Sequence, residues 1–303
     1  MKKIVSVSLG SSTRNHSAVM EIFGEKFLLE RIGTDGDFKK ALKLISELDG
    51  KVDCITLGVI DRYLVIGGRK YEVRDARKMA LRAPTTPVVD GSGLKNTLER
   101  QVVSFMEKEL KMNLAGKKVL MVAAVDRFGM AEAFSAAGCL MIFGDLIFGL
   151  GIPIAIRNLK TLNSIARVLL PVVTQLPFKI LYPTGSKQEK VKTKHSYTRY
   201  YHEADIIAGD FLFIRRYLPE KLTGKVIVTN TITSGDIELL RQKGVKMLIT
   251  STPEINGRSF GTNVMEGLIL VVSGKKLSEI TAEDYEKVLE KLKFKPRVVN
   301  FHE

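Results

Sequence analysis

Residues 118–145 read KVLMVAAVDRFGMAEAFSAAGCLMIFGD. Val119, Leu120, Met121 and Val122 make an apolar strand that runs into a turn. A helix follows, with small residues at Gly129, Ala131, Ala133, Ala136 and Ala137, and Gly138 leads to a second apolar strand that ends at Asp145. This is the layout of a β-α-β unit that holds an adenosine phosphate. In such units three glycines give a tight turn, let the backbone approach the pyrophosphate and pack helix against strand, while a carboxylate about 20 residues on takes the ribose hydroxyl. Gly129 serves the close packing and Asp145 the ribose. In the one-four-seven spacing Ala123 and Asp126 stand at the other two glycine positions. Asp126, with Arg127 beside it, puts a negative charge where a helix N-terminus ordinarily attracts phosphate.

The same theme continues through the C-terminal half. Short runs rich in Val, Ile and Leu, apolar on both faces, predict strands at Lys118–Ala123, Cys139–Phe143, Phe178–Tyr182, Asp205–Ala208, Lys225–Thr229 and Lys246–Thr250. Such strands need cover on both sides, which crossover helices give to a parallel sheet. Helices are expected at Gly129–Ala137, Asn158–Thr174, Glu189–His202, Gly235–Lys243 and Gly261–Val272. The result is an α/β fold with a doubly wound parallel sheet of about six strands, default order 3-2-1-4-5-6.

The N-terminal part alternates differently. Lys3–Ser8 reads as a strand, and Val19–Phe23 with Lys26–Arg31 as a hairpin turned at Gly24-Glu25. A helix at Phe38–Leu48, a strand at Val52–Leu57, a Gly67-Gly68 turn and a short helix near Val73–Ala80 complete a mixed α/β domain. A helix over Leu94–Lys111 joins the two parts, which places residues 1–113 in one domain and residues 114–303 in the other. The functional cleft is then expected between them, at the carboxyl ends of the strands.

Bulk composition narrows the class. The chain has 303 residues, 45% hydrophobic and 26% charged, which suits a folded domain with a real core. Asp145 and three glycines interrupt the apolar run from Cys139 to Ile156, so no membrane span is expected. The first strand is too short for a signal peptide, and a cytoplasmic location follows. Cys54 and Cys139 sit in strands with no Cys/His cluster near them, and the four histidines lack ligand spacing, so neither a disulfide nor a metal is expected. The net charge of +14 gathers at Lys39, Lys40 and Lys43, in Lys187–Lys194 and along Lys287–Arg297. It is spread over solvated faces, without the aromatic-interleaved stripe of a nucleic-acid binder. A small anionic substrate suits this balance, and a homodimer stays open.

Four stretches carry polar chemistry. Ser251–Gly267 offers Arg258 as a planar donor fork, with Thr262 and Asn263 at a helix start. Its competing use is a capping loop in which Arg258 pairs with Glu254 or Glu266. Asp90–Arg100 delivers Lys95, Asn96 and Thr97 to the start of a helix. Lys95 in a cleft can act as general acid or base, with Asp90 the nearest carboxylate on its N-terminal side, or it can be solvated while Asp90 or Ser92 caps. Ser8–His16 places Ser11, Ser12 and Arg14 where an anion could be cradled, or forms only a turn. Thr229 and Asn230, at the end of a predicted strand, are where open sheets put ligand contacts, although Thr233 or Ser234 beyond them can cap a helix.

VDGSGLKNTLER (89–100), ADIIAGDFLFIRRYLP (204–219), GKVIVTNT (224–231) and TPEINGRSFGTNVMEG (252–267) together resemble a bacterial family labelled quinate/shikimate 5-dehydrogenase. The resemblance implies a two-domain Rossmann-type oxidoreductase passing hydride between NAD(P) and a cyclic polyhydroxy carboxylate. Lys95 and Asp90 would be its catalytic pair. Ala123, Asp126, Arg127, Gly129, Asp145, Thr229 and Asn230 would meet the cofactor, and Ser11, Ser12, Arg14, Asn96, Thr97, Arg258, Thr262 and Asn263 the substrate. Asp145 favours NAD over NADP, since it would repel a 2′-phosphate. The alternative is a non-catalytic module that binds a nucleotide or anionic metabolite as a sensor or partner protein.

Overall fold

The computed structural model describes residues 1–181, 195–252, 254–255, 258–259 and 261–301. The segment Lys187–Lys194, Gly257 and the side chain of Arg258 therefore lie outside the described residues.

The first sheet grows around β1 (Lys2–Ser8), a strand buried from Ile4 onward. The hairpin β2 (His16–Ile22) and β3 (Glu25–Gly33) turns at Phe23-Gly24, both at positive φ, as a tight two-residue turn requires. Then come α1 (Phe38–Leu48), capped by Asp37, and β4 (Cys54–Gly58). A small hairpin, β5 (Tyr63–Ile66) with β6 (Arg69–Glu72), precedes α2 (Arg74–Ala80), β7 (Val88–Val89) and α3 (Ser92–Lys108). The sheet order is β2-β3-β1-β4-β7, parallel except for the β2–β3 pair.

The second sheet begins with β8 (Lys118–Met121), α4 (Phe128–Ala136) and β9 (Leu140–Phe143). After α5 (Leu159–Val173), α6 (Phe178–Leu181) and α7 (His195–Glu203) come β10 (Ile206–Ala208) and α8 (Phe211–Arg216). Next are β11 (Val226–Thr229), α9 (Ser234–Gln242) and β12 (Met247–Thr250). A two-residue pair, β13 (Glu254–Ile255) and β14 (Arg258–Ser259), leads to α10 (Thr262–Ser273), α11 (Ala282–Lys291) and β15 (Arg297–Asn300). The six strands run β15-β12-β11-β10-β8-β9, all parallel but β15. The chain is thus an α/β protein with a Rossmann-like sheet and an N-terminal mixed sheet, as the sequence predicts.

Two expectations need correction. Residues 178–181 are one turn of helix, not a strand. Phe178 is the anchor there: its N–H donates to Asp75 Oδ2 at 3.0 Å and its ring stacks on Phe38, while Ile180 faces solvent. A run with one buried position in four cannot be a core strand. The third strand of the default order is therefore missing, and the antiparallel β15 is added beyond β12 at the opposite edge.

The second correction concerns α10. It covers the first sheet rather than the second: Val264, Leu268 and Ile269 pack with Ile4, Cys54 and Val89, and α11 adds Tyr285 and Leu289 to the same cluster. Gly267 permits the closeness, since a Cβ there would lie 2.7 Å from Thr56 Cγ2. Helix α3 packs both ways, with Leu94 and Leu98 in that cluster and Val102, Val103 and Met106 in the larger one that joins the two sheets.

Candidate functional site

Both sheets point the carboxyl ends of their parallel strands at one cavity of about 430 Å³. Ser6 and Ser8 of β1 and the loop Gly58–Asp61 after β4 line it from the first sheet. Asp126, Asp210 and Asn230, which follow β8, β10 and β11, line it from the second, and the N-terminus of α10 closes one side. This is the place where open α/β sheets put ligands.

Lys95 lies one turn into α3, whose N-cap, Gly91, needs φ +97° and leaves no room for a side chain against Asn263 N. The Lys95 side chain is 12% exposed. Its Nζ donates to Asp61 Oδ2 at 2.9 Å, to Asp126 Oδ1 at 3.2 Å and to the Asp126 carbonyl at 3.3 Å. Asp90 is not its partner. The Asp90 carboxylate accepts from the N–H groups of Arg62 (2.5 Å), Tyr63 (3.3 Å) and Ser92 (3.3 Å) and from Ser92 Oγ at 2.7 Å. Asp90 thereby ties the loop that carries Asp61 to the start of α3, so it positions the pair that faces the cavity.

Electrostatics sort these groups. Burial pulls the Lys95 ammonium down, but Asp126 and Asp61 outweigh it and hold the group above the ordinary lysine range. Burial pushes Asp61 well up, Lys95 pulls against it, and the neighbouring Asp126 pushes further. Asp126 stays ionised, since Lys95 and Arg127 overcome its burial. Burial and the second carboxyl thus raise the proton affinity of Asp61, while the cations beside Asp126 lower that of its neighbour. Sequence spacing missed Asp61. The signal was present, because GVID follows directly on β4, as ligand-contacting loops follow strands. Val59 in that loop has φ +72°, a costly conformation for a β-branched residue and one met mostly at functional sites.

The other predicted positions divide. Asp126, Arg127, Asn230, Arg14, Thr262 and Asn263 line the cavity; Ser11, Ser12, Asn96, Thr97, Ala123, Gly129, Asp145 and Thr229 are not among its lining residues. Arg127 is buried with its guanidinium bonded to Glu99 Oε1 (2.6 Å) and Asp210 Oδ2 (3.0 Å), while its Nε lies 3.5 Å from Asp126 Oδ2 without a hydrogen bond among the described residues. Gly129 packs against Asn96 of α3 rather than against a strand. Thr229 Oγ1 donates to the Gly209 carbonyl at 2.8 Å, and Asn230 Nδ2 to Asp210 Oδ2 at 2.9 Å. Ser11 Oγ and Ser12 N are used inside their own turn and by Asp35. Asn263 Nδ2 donates to Ser6 Oγ and Thr56 Oγ1, both at 2.9 Å, which stitches α10 to β1 and β4.

The turn after β8 can be tested for a dinucleotide phosphate. Its Val125 N–H donates to Asp145 Oδ1 at 2.9 Å. Burial pushes Asp145 up to about 6, against the pull of the Val125 and Ala124 N–H groups, and its second oxygen is buried without a hydrogen bond among the described residues. The backbone donors that would cradle a pyrophosphate are thus directed at the protein's own carboxylate, and the Asp126 carboxylate fills the glycine position beside them. In this arrangement the turn does not fit a dinucleotide phosphate. No cluster of metal-ligating side chains occurs among the described residues, both cysteines are free and buried, and no described helix is long and apolar enough to cross a membrane.

Fold and cleft together define a Rossmann-like α/β protein with a charged cavity between two sheets. The chain belongs to the family described as "Domain of unknown function (DUF8754)", which matches residues 93–301, and residues 3–90 match "Domain of unknown function (DUF8753)". No curated protein matches it. Similar solved structures include a glutamate dehydrogenase from Thermus thermophilus, at 10% identity and TM-score 0.42 over 95% of this chain and 72% of that one. A galactofuranose binding protein matches at 12% identity and TM-score 0.38 over 97% and 99%. An L-tryptophan dehydrogenase from Nostoc punctiforme matches at 10% identity and TM-score 0.37 over 96% and 79%. Neither family description nor any of these names quinate or shikimate.

Proposed function

We propose that the cavity binds a small anionic molecule and that Lys95 and Asp61 exchange a proton with its hydroxyl or carbonyl oxygen. The observation that carries this reading is the Lys95 ammonium held between Asp61 and Asp126 at the cavity wall. A protonated lysine there polarises or protonates a ligand oxygen, and Asp61, with its raised affinity for a proton, supplies or receives the proton in turn. Arg14 and Arg31 in the same lining favour a negatively charged ligand. The test is incubation with a panel of small hydroxy and keto acids in deuterated water, followed by proton NMR. Conversion or exchange by the wild type should fall about a hundredfold or more in Asp61→Asn, the range general acid-base groups contribute. Undiminished turnover in that variant would remove Asp61 from the chemistry.

A second reading is the NAD(P)-dependent dehydrogenase of a quinate- or shikimate-like acid. It is favoured by the parallel β8-α4-β9 unit with its strand-order reversal beside the cavity. It requires Asp145 to leave Val125, so no step is routed through the cofactor. Fluorescence titration with NADH and NADPH separates the two readings: saturable binding would promote the dehydrogenase. A sensor, the third possibility in this class, would bind its anion and turn nothing over.

A further inference from the structure

The cavity lining has further polar groups besides the lysine and its carboxylates. Ser6 and Ser8 are two residues apart on one face of β1, so their side chains stand about 7 Å from each other. Ser6 Oγ is bonded to Asn263 in the first turn of α10, and Ser8 Oγ accepts from Arg31 Nη2 at 2.9 Å. The N-terminus of α10 and the Arg31 guanidinium therefore flank the same pair of serines.

Each flank has unspent donors. Arg31 gives its other bonds to the Ser11 carbonyl (3.1 Å) and Asn15 Oδ1 (3.5 Å), and among the described residues it has no carboxylate within ion-pair distance. Burial, with Arg14 next, brings this guanidinium down to about 10, against the pull of Asp35, so its charge lacks compensation in the free protein. Arg14 itself is 3.5 Å from Asp236, which already holds Arg215 at 2.7 Å. On the other flank α10 has no side-chain cap, and Thr262, only 6% exposed and lining the cavity, has no hydrogen-bond partner for its hydroxyl among the described residues. The Thr231 hydroxyl, also in the lining, likewise has no partner among the described residues. A buried unpaired hydroxyl is destabilising unless a ligand satisfies it.

We propose that the ligand carries a phosphoryl group, seated at Arg31 and the N-terminus of α10, with the Thr262 hydroxyl among its donors. One edge of a guanidinium saturates a carboxylate. It would leave the helix N-terminus and the threonine hydroxyls unused. A phosphomonoester brings three acceptor oxygens and between one and two negative charges, which matches donors arriving from β3, α10 and the β11–α9 loop. This rests on the reading that the cavity binds an anion, and it assigns that anion's class.

The test is calorimetry and thermal shift on the whole protein with glycerol 3-phosphate, glycerate and glycerol as probes. Glycerol 3-phosphate should bind saturably, at least tenfold tighter than glycerate, and glycerol should not bind. Arg31→Gln should abolish binding. Because Arg31 also braces the Ser8–Asn15 loop, Thr262→Val is the cleaner variant: losing an unpaired hydroxyl should leave the free protein at least as stable, while weakening glycerol 3-phosphate at least tenfold. Glycerate binding as tightly as the phosphate ester, through Arg31, would overturn the phosphoryl assignment and leave the anion cavity standing. Phosphate binding that survives both substitutions would overturn it too, and no binding of either anion would sink both this inference and the reading beneath it.

Discussion

Lys95 is held in a balance that one substitution upsets. Lys95→Met leaves Asp61 and Asp126 buried without their cation, and removing one member of such a cluster costs about 3 kcal/mol. Asp61→Asn added to it replaces one of the buried carboxyls left without the lysine by a neutral amide and should recover a good part of that loss. Urea unfolding of the two variants checks this, and a single variant as stable as wild type would show that the cluster is not buried as described. Asp145 gives a pH signature. Its folded value of about 6 lies above the roughly 3.9 of an unfolded aspartate, so between these values the folded chain holds a proton the unfolded chain lacks. Its contribution is fully present below pH 4 and is lost as pH rises through 6. Asp145→Asn has no such loss, so its stability relative to wild type should climb between pH 4 and 6 and then level off. Parallel profiles would contradict the assignment. Lys95 was legible in sequence because it sits in a polar run at a helix start. Its carboxylates were not, because Asp61 comes from a loop 34 residues away and Asp126 from the turn after β8; only the folded β4 and β8 bring them together. The nearest carboxylate on the N-terminal side, Asp90, is drawn instead to the backbone N–H groups of residues 62, 63 and 92.

Helix α10 does two jobs that its sequence separates by only a few positions. Thr262 and Asn263 face the cavity, and Gly267, just over one turn further on, lets the helix settle on β1 and β4. Gly267→Ala would press a methyl group against Thr56, Cys54 and Ile4 and should cost about 1–3 kcal/mol by overpacking. Because the helix would lift as a body, anion binding should weaken in the same variant, although residue 267 is not in the cavity lining. Thermal unfolding and calorimetry on one preparation test both effects, and unchanged affinity in a destabilised variant would show that the two ends of the helix move independently. Glu266 reinforces the placement, accepting from Gly91 N at 2.5 Å and Gly93 N at 3.1 Å, so that α10 also holds the start of α3. Periodicity revealed that α10 exists and nearly where it begins. It could not say which sheet the helix covers, since an apolar face fits either. Residues 178–181 failed for a related reason: a short apolar run carries no period, and the docking of Phe178 beside Phe38 decided the matter.

The two sheets are less independent than a division at residue 113 implies. The last two helices return to cover the first sheet, and removing them exposes Ile4, Val89, Leu94 and Leu98. A fragment of residues 1–113 should therefore fail to fold alone and should recover structure on mixing with residues 114–303; circular dichroism of the fragment and of the mixture distinguishes this from two autonomous domains. The return also fixes the cleft, because α10 forms part of a cavity whose other walls come from both sheets. Fold class was readable from composition and strand pattern, whereas the site depends on this crossing of the chain, which leaves no local trace.

Proton transfer at Lys95 and Asp61 is read without ambiguity from carbon-bound exchange: a keto acid held in the cavity, its carbonyl polarised by Lys95, should take up deuterium at the adjacent carbon from deuterated water, seen as loss of that proton's NMR signal. The wild type should do this about a hundredfold or more faster than Asp61→Asn at equal occupancy. Equal rates in the two proteins, with the acid shown by calorimetry to be bound in both, would refute the role of the pair.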